Sequence, residues 1–262
     1  MQCKICATES PPLFRKLVLK KYEVDYCRCQ QCGFIQTEKP YWLDEAYSSA
    51  ISDLDRGPIN RAIRGSHIIE GIILNNFNPN ARFIDWGGGY GVFTRLMRDL
   101  GYNLYWPDRY CQNIFAKQFV ADKASSYELL TAFEVFEHLV DPLVEVESML
   151  KCSDNLLFTT MVPPLSVNKL ENWWHLTPEH AQHVSLYSIK ALTVIGAKFD
   201  IHLTSDGLDT HLLSRQPVSK KMFRTIARNG RMARLLRRFK RRRLAPQSLL
   251  VKDFRAVTGW NV

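Results

Sequence analysis

Around residue 83 the period of the apolar positions changes. Phe83 and Ile84 close a short apolar run, Asp85 follows, and four glycines fall within Gly87-Gly88-Gly89-Tyr90-Gly91. Past them Val92, Phe93, Leu96, Met97 and Leu100 recur at 3.6-residue spacing, and Gly101 stands where a C-cap belongs. The pattern predicts a strand, a glycine turn and a helix N-terminus. Upstream, Ile59, Ile63, Ile68, Ile69, Ile72 and Ile73 predict a second helix. Downstream, Asn103 to Trp106 reads as a second strand, Phe119 to Asp122 as a weakly marked third, Tyr127 to Phe133 as a fourth and Leu156 to Met161 as a fifth.

Glycines at such a turn let backbone approach a ligand closely, and the helix end presents unpaired N–H groups to its acceptor atoms. A dinucleotide fingerprint, G-x-G-x-x-G/A, is missed, because the sixth position from Gly87 is Val92. What stands instead is D-x-G-x-G-x-G from Asp85 to Gly91. This resembles motif I of the class I S-adenosylmethionine (SAM) methyltransferases. The resemblance implies that Gly87, Gly88, Gly89 and Gly91 cradle SAM while Asp85 helps to hold its ammonium. Asp108 lies 23 residues beyond Asp85, after the second strand, and matches the family's acidic residue that takes both ribose hydroxyls. The third strand would supply the adenine site, Thr131 and Phe133 further contacts, and Tyr47 a contact from the segment that closes over SAM in many relatives.

The chain has 262 residues, 46% hydrophobic and 23% charged, enough for one substantial domain plus an appendage. No apolar run approaches transmembrane length and no signal-peptide core is seen, so a cytoplasmic protein is expected. Cysteines then argue for thiols or metal. Cys3-x-x-Cys6 is followed after 22 residues by Cys29-x-x-Cys32, two knuckles at structural-zinc spacing, with Cys27 a less well spaced substitute for Cys29.

The exit of the fourth strand carries candidate chemistry. Glu134, Glu137 and His138 would meet on one helical turn, near the transferable methyl if the carboxyl ends of the strands face the cofactor. Such a group can bind a divalent cation, Mg or another, or act as acid and base. E-x-x-E-H resembles the metal-holding motif of ubiquinone-pathway O-methyltransferases and small-RNA 2′-O-methyltransferases, and His183 stands where the RNA enzymes add a histidine. The alternative reading keeps the two glutamates as helix-orienting groups, with His138 or His183 as general base. Trp173, Trp174 and His175 form an indole-rich loop suited to contacting an acceptor, or to filling core.

Charge is concentrated. Arg215 to Arg243 holds thirteen lysines and arginines and no acid, so the whole net charge of +9 resides there. Within it Met222, Phe223 and Ile226, then Met232, Leu235, Leu236 and Phe239, predict two basic amphipathic helices broken at Asn229-Gly230. They suit an anionic membrane face; nucleic acid would use the same charges, but the rest of the chain is net acidic and offers no second phosphate track.

Over nearly its whole length the chain resembles bacterial SAM-dependent methyltransferases with an N-terminal zinc-binding CxxC…CxxC module, associated with polysaccharide, O-antigen and deoxysugar pathways. The resemblance implies an α/β fold, a Rossmann-like class I methyltransferase sheet with helices on both faces. It divides the chain into a zinc ribbon (1–40), a helical cap (41–75), a SAM-binding domain (76–217) and a basic helical tail (218–262). The family's sugar C-methyltransferases carry a further large C-terminal domain not seen here, which points to O-methylation of a glycan or nucleotide-sugar, at the inner membrane face if the acceptor is lipid-linked. An RNA methyltransferase, or a SAM-binding scaffold without turnover, are the rival expectations.

Overall fold

A computed structural model describes residues 1–48, 57–122 and 126–260. Its strands are β1 (Pro12–Val18), β2 (Tyr22–Arg28), β3 (Ile35–Thr37), β4 (Arg82–Asp85), β5 (Asn103–Tyr105), β6 (Leu129–Phe133), β7 (Asn155–Thr159), β8 (Ser185–Leu186), β9 (His202–Ser205) and β10 (Thr210–Ser214). Its helices are α1 (Leu43–Ala46), α2 (Pro58–Asn76), α3 (Val92–Asp99), α4 (Pro142–Leu150), α5 (Val167–Glu171), α6 (Ile189–Lys198), α7 (Lys220–Ala227), α8 (Arg231–Leu244) and α9 (Leu250–Thr258). Among the described residues no helix is long and apolar enough to cross a membrane.

Two units share these elements. One comprises Asp53–Ala132, Met149–Leu157 and Val218–Val262. In it β5, β4, β6 and β7 lie side by side, with β4 parallel to β5 and β6. A parallel strand covered on both faces needs apolar side chains throughout, and Phe83, Ile84, Leu104, Leu129, Leu130 and Ala132 are all buried. The predicted third strand shrinks to a single parallel bridge between Trp106 and Val120. The isoleucine-rich segment is α2, opened by Pro58 in its first turn, where a missing N–H costs nothing.

The basic segment belongs to this unit's packing. Phe223 and Ile226 are buried, and α7 meets α2 where Gly71 leaves room: a Cβ there would stand 2.7 Å from Ile226 Cγ2. Buried Glu70 on α2 pairs with Arg241 and Arg237 of α8. Asp253 of α9 takes Arg98 through two hydrogen bonds of 2.8 Å. A third helix, α9, thus joins the two predicted ones, and the stretch 218–260 is built in where the sequence suggested an appended tail.

The other unit comprises Met1–Ser52, Phe133–Ser148 and Phe158–Pro217. Its four-stranded sheet runs β1-β2-β3-β8, with Ile35 opposite Leu186 and Gln36 opposite Ser185. Tyr26, Ile35 and Trp42 share one apolar core with Leu176, Val184 and Leu186. Residues 1–40 are therefore not a free-standing ribbon, because their sheet is completed by a strand 150 positions downstream. β9 and β10 form an antiparallel hairpin, β10 next to β7, whose last two residues, Phe158 and Thr159, fall in this unit.

Candidate active site

The glycine turn grows out of β4. Asp85 ends the strand fully enclosed, its two carboxylate oxygens accepting from Thr131 Oγ1 at 2.9 Å and Thr94 Oγ1 at 3.3 Å. Burial pushes its carboxyl up to about 7, against the pull of those two hydroxyls. Gly88 is required by crowding: a Cβ would stand 2.5 Å from Trp106 Cδ1 and 2.9 Å from Asp85 Oδ2. Gly91 caps α3 at φ 84°, a left-handed conformation that favours glycine.

Asp108 fixes the turn from the other side. Its Oδ2 accepts from Gly89 N–H at 2.9 Å and its Oδ1 from the N–H groups of Tyr110 and Cys111. Trp106 Nε1 donates to Gly89 O at 2.8 Å. The turn thus sets a carboxyl at the strand end beside a helix N-terminus whose N–H groups face acceptor atoms. Phe133, half-buried at the end of β6, belongs to the other unit.

That second unit gathers the imidazoles and acids. Past Phe133 the chain does not make the expected helical turn. Glu134 is left-handed at φ 52°, held by Thr159, whose Oγ1 accepts its N–H at 3.0 Å and donates to its carboxylate at 2.8 Å. A 3₁₀ turn over Phe136–His138 then drives Glu137 inward to complete burial. The residue brought to the glutamates is His175: one ligand atom each from Glu134, Glu137 and His175 lies within 4.8 Å of the others, and His175 Nε2 is 3.5 Å from Glu137.

His138 and His183, expected as metal ligands, are not in that group, and each engages its Nδ1 elsewhere. His138 Nδ1 meets the hydroxyl of Tyr47, the expected cofactor contact, at 3.0 Å. His183 Nδ1 meets the backbone carbonyl of His175 at 2.5 Å. A carbonyl only accepts, so Nδ1 carries the proton and Nε2 is the lone-pair nitrogen. The rings of His138, His183 and His175 follow one another at centroid spacings of 4.9 and 4.6 Å. Burial holds all three imidazoles well below the usual range, at about 3, 3 and 4 in that order, so they are neutral at physiological pH.

Of the tryptophans, Trp173 packs against the apolar core, whereas Trp174 is 70% exposed. The sequence placed His175 with them as an acceptor contact and missed its partnership with Glu137. The signal was faint, a histidine 38 residues from the glutamate, brought in by the 3₁₀ turn Trp174–Leu176.

Cys3, Cys6, Cys29 and Cys32 converge, each offering a sulfur within 4.8 Å of the others, with Cys3 to Cys32 at 3.6 Å and Cys6 to Cys29 at 3.3 Å. Zinc with sulfurs at ~2.3 Å in a tetrahedron needs them ~3.8 Å apart, so the donor set suits that ion. Cys27 is not in the group.

Residues 64–205, more than half of the chain, match a family described as a methyltransferase domain. No curated protein matches. Solved structures similar to the chain include a magnesium protoporphyrin IX methyltransferase from Synechocystis PCC 6803 with bound SAH, at 14% identity and TM-score 0.40, covering 65% of this chain and 90% of that one. The plantazolicin methyltransferase BpumL, in complex with a monoazolic desmethylPZN analog and SAH, matches at 13% identity and TM-score 0.45, over 75% of this chain and 87% of that one.

Proposed function

The chain belongs to the methyltransferase-domain family and is a SAM-dependent methyltransferase, and we propose that it methylates a sugar hydroxyl of a glycan or nucleotide-sugar on oxygen. The observation that carries this reading is the 2.5 Å contact of His183 Nδ1 with the His175 carbonyl, which assigns its tautomer. A sulfonium already activates its methyl group, so an oxygen acceptor asks the protein for in-line alignment and removal of a proton. A neutral imidazole whose Nδ1–H is tied to a carbonyl presents Nε2 as that base.

His183 keeps some exposure; with its imidazole held at about 3 by burial, it takes the proton only as the O–C bond forms and the acceptor oxygen turns strongly acidic. The positive charge this leaves in a buried histidine row is offset by Glu137, beside His175. Trp174 offers an exposed indole face on which a sugar ring can stack. Asp85, the glycines and Asp108 hold the donor. Cys3, Cys6, Cys29 and Cys32 would hold zinc, which closes the N-terminal knuckles. Glu134, Glu137 and His175 would hold a divalent cation, which when bound supplies a grip on substrate hydroxyls and lowers their pKa.

Calorimetry with SAM followed by transfer of labelled methyl to glycan, nucleotide-sugar and RNA fractions tests the reading. Label in saccharide, lost about 100-fold in His183→Gln with SAM affinity kept, is the expected result. Label in RNA alone overturns the acceptor, and an absence of SAM binding overturns the donor cradle.

A further inference from the structure

The outer face of α8 carries none of the residues assigned above to the donor or the proton. Its inner face is spoken for: Ala233 is buried, Arg237 and Arg241 pair with Glu70, and Lys240 donates to Leu74 O at 3.3 Å. On the opposite side of the helix Met232, Leu235 and Phe239 form one row, and they are 61%, 63% and 56% exposed. Arg231, Arg234, Arg238 and Arg242 run beside that row at helical spacing, all exposed, and Arg243 lies over the Phe239 ring at 4.3 Å. No acid interrupts the charge between Arg215 and Arg243. The adjoining groove between α7 and α8 is lined by Lys220, Lys221, Arg224 and Arg228. On α9, Phe254 and Val257 are also exposed.

An apolar row in water beside a row of arginines is unfavourable for a purely solvated helix, and a phosphate backbone would use the arginines and leave the row idle. An interface of lipid headgroups and acyl chains takes both. We propose that α8 lies in the plane of an anionic membrane surface, with Met232, Leu235 and Phe239 entering the acyl boundary and the flanking arginines on lipid phosphates. The helix stays folded against α2 as it does so, because the residues that pack it are on its other side. Docking of this kind is independent of the acceptor's identity and of which base removes its proton.

Truncation is the wrong test, since removing 218–262 takes away buried Phe223, Ile226 and Asp253. Point changes on the outer face leave that packing intact. Flotation of the full chain with vesicles of neutral lipid, and with vesicles containing about a third phosphatidylglycerol, should show binding to the second only. Leu235→Gln with Phe239→Gln, and separately Arg234→Gln with Arg238→Gln, should each weaken it at least about tenfold while SAM affinity and melting temperature stay unchanged. The proposal is overturned if neither vesicle binds. It is equally overturned if the glutamine pair at 235 and 239 binds as wild type, or if the chain binds RNA more tightly than anionic vesicles and that RNA binding ignores the same pair.

Discussion

The Tyr47 hydroxyl stands 3.0 Å from Nδ1 of His138, linking the segment after the first helix to the turn that follows β6. A tyrosine facing the cofactor would set donor affinity; a tyrosine on an imidazole sets that ring's orientation. Tyr47→Phe is therefore expected to leave the SAM dissociation constant within about twofold and to lower the methyl-transfer rate about tenfold. A rise in the dissociation constant with an unchanged rate would return Tyr47 to the cofactor.

Burial holds the Asp85 carboxyl near neutrality, and this costs stability wherever the group ionises. An unfolded aspartate ionises near ~3.9, whereas burial raises this one to about 7. The folded-state pKa of an acid is raised, so the unfolded state ionises first, and stability falls as pH climbs between those values and stays reduced above 7. Asp85→Asn should raise the unfolding free energy at pH 8, read from urea titration, by an amount on the order of 2 kcal/mol. The same change should weaken SAM at least about thirtyfold, because an amide cannot answer the donor's ammonium. In wild type, SAM should bind more tightly at pH 8 than at pH 6, and a flat profile would refute the charge pairing.

The histidine row predicts the opposite slope. Its pKa values of about 3, 4 and 3 lie below the unfolded ~6.5, so stability is fully present above that value and drains as pH falls toward the folded ones. Between pH 6.5 and 4.5 the loss should be on the order of 1 kcal/mol per imidazole, because the unfolded rings take up protons that the buried, neutral ones do not. His183→Gln should flatten the curve of unfolding free energy against pH by close to one proton. Long-range imidazole NMR at pH 7 should also show His183 protonated at Nδ1; an Nε2 proton would remove it as the base.

The α/β core was legible because its signals are local: Asp85 to Gly91 names a strand end, a turn and a helix cap within seven residues, and α2, α7 and α8 show their periods openly. The four cysteines were legible through spacing, which survives folding when two knuckles face each other. What could not be read is non-local. Glu134 takes a left-handed backbone that its neighbours do not advertise, so a helical turn with His138 was the natural expectation, and the histidine that meets the glutamates comes from a separate loop. The domain blocks misled for the same reason, since nothing in Ile35 or Gln36 announces pairing with Leu186 and Ser185. The basic segment misled through its composition: its charge is conspicuous, while Phe223, Ile226 and Asp253 are few and carry the packing.

Asp253 puts that last point to a measurement. Its side chain is nearly buried, accepts two hydrogen bonds from Arg98, itself buried, and stands 2.9 Å from Arg95 Nη2. These arginines hold its carboxyl below the usual range against the opposing effect of burial. Arg98 in turn donates to Asn103 Oδ1 and Leu104 O at the second strand of the glycine-turn unit. Removing one member of a buried ion pair leaves the other charge desolvated and unmatched, which costs ~3 kcal/mol or more. Asp253→Ala should therefore lower the melting temperature by several degrees and expose α9 to limited proteolysis near Leu249, whose N–H is tied to Arg98 O at 3.0 Å. A solvated surface pair would give at most ~1 kcal/mol and no new cleavage. Asp253→Ala with an unchanged melting temperature would place α9 outside the folded unit and restore the segment to an appended tail.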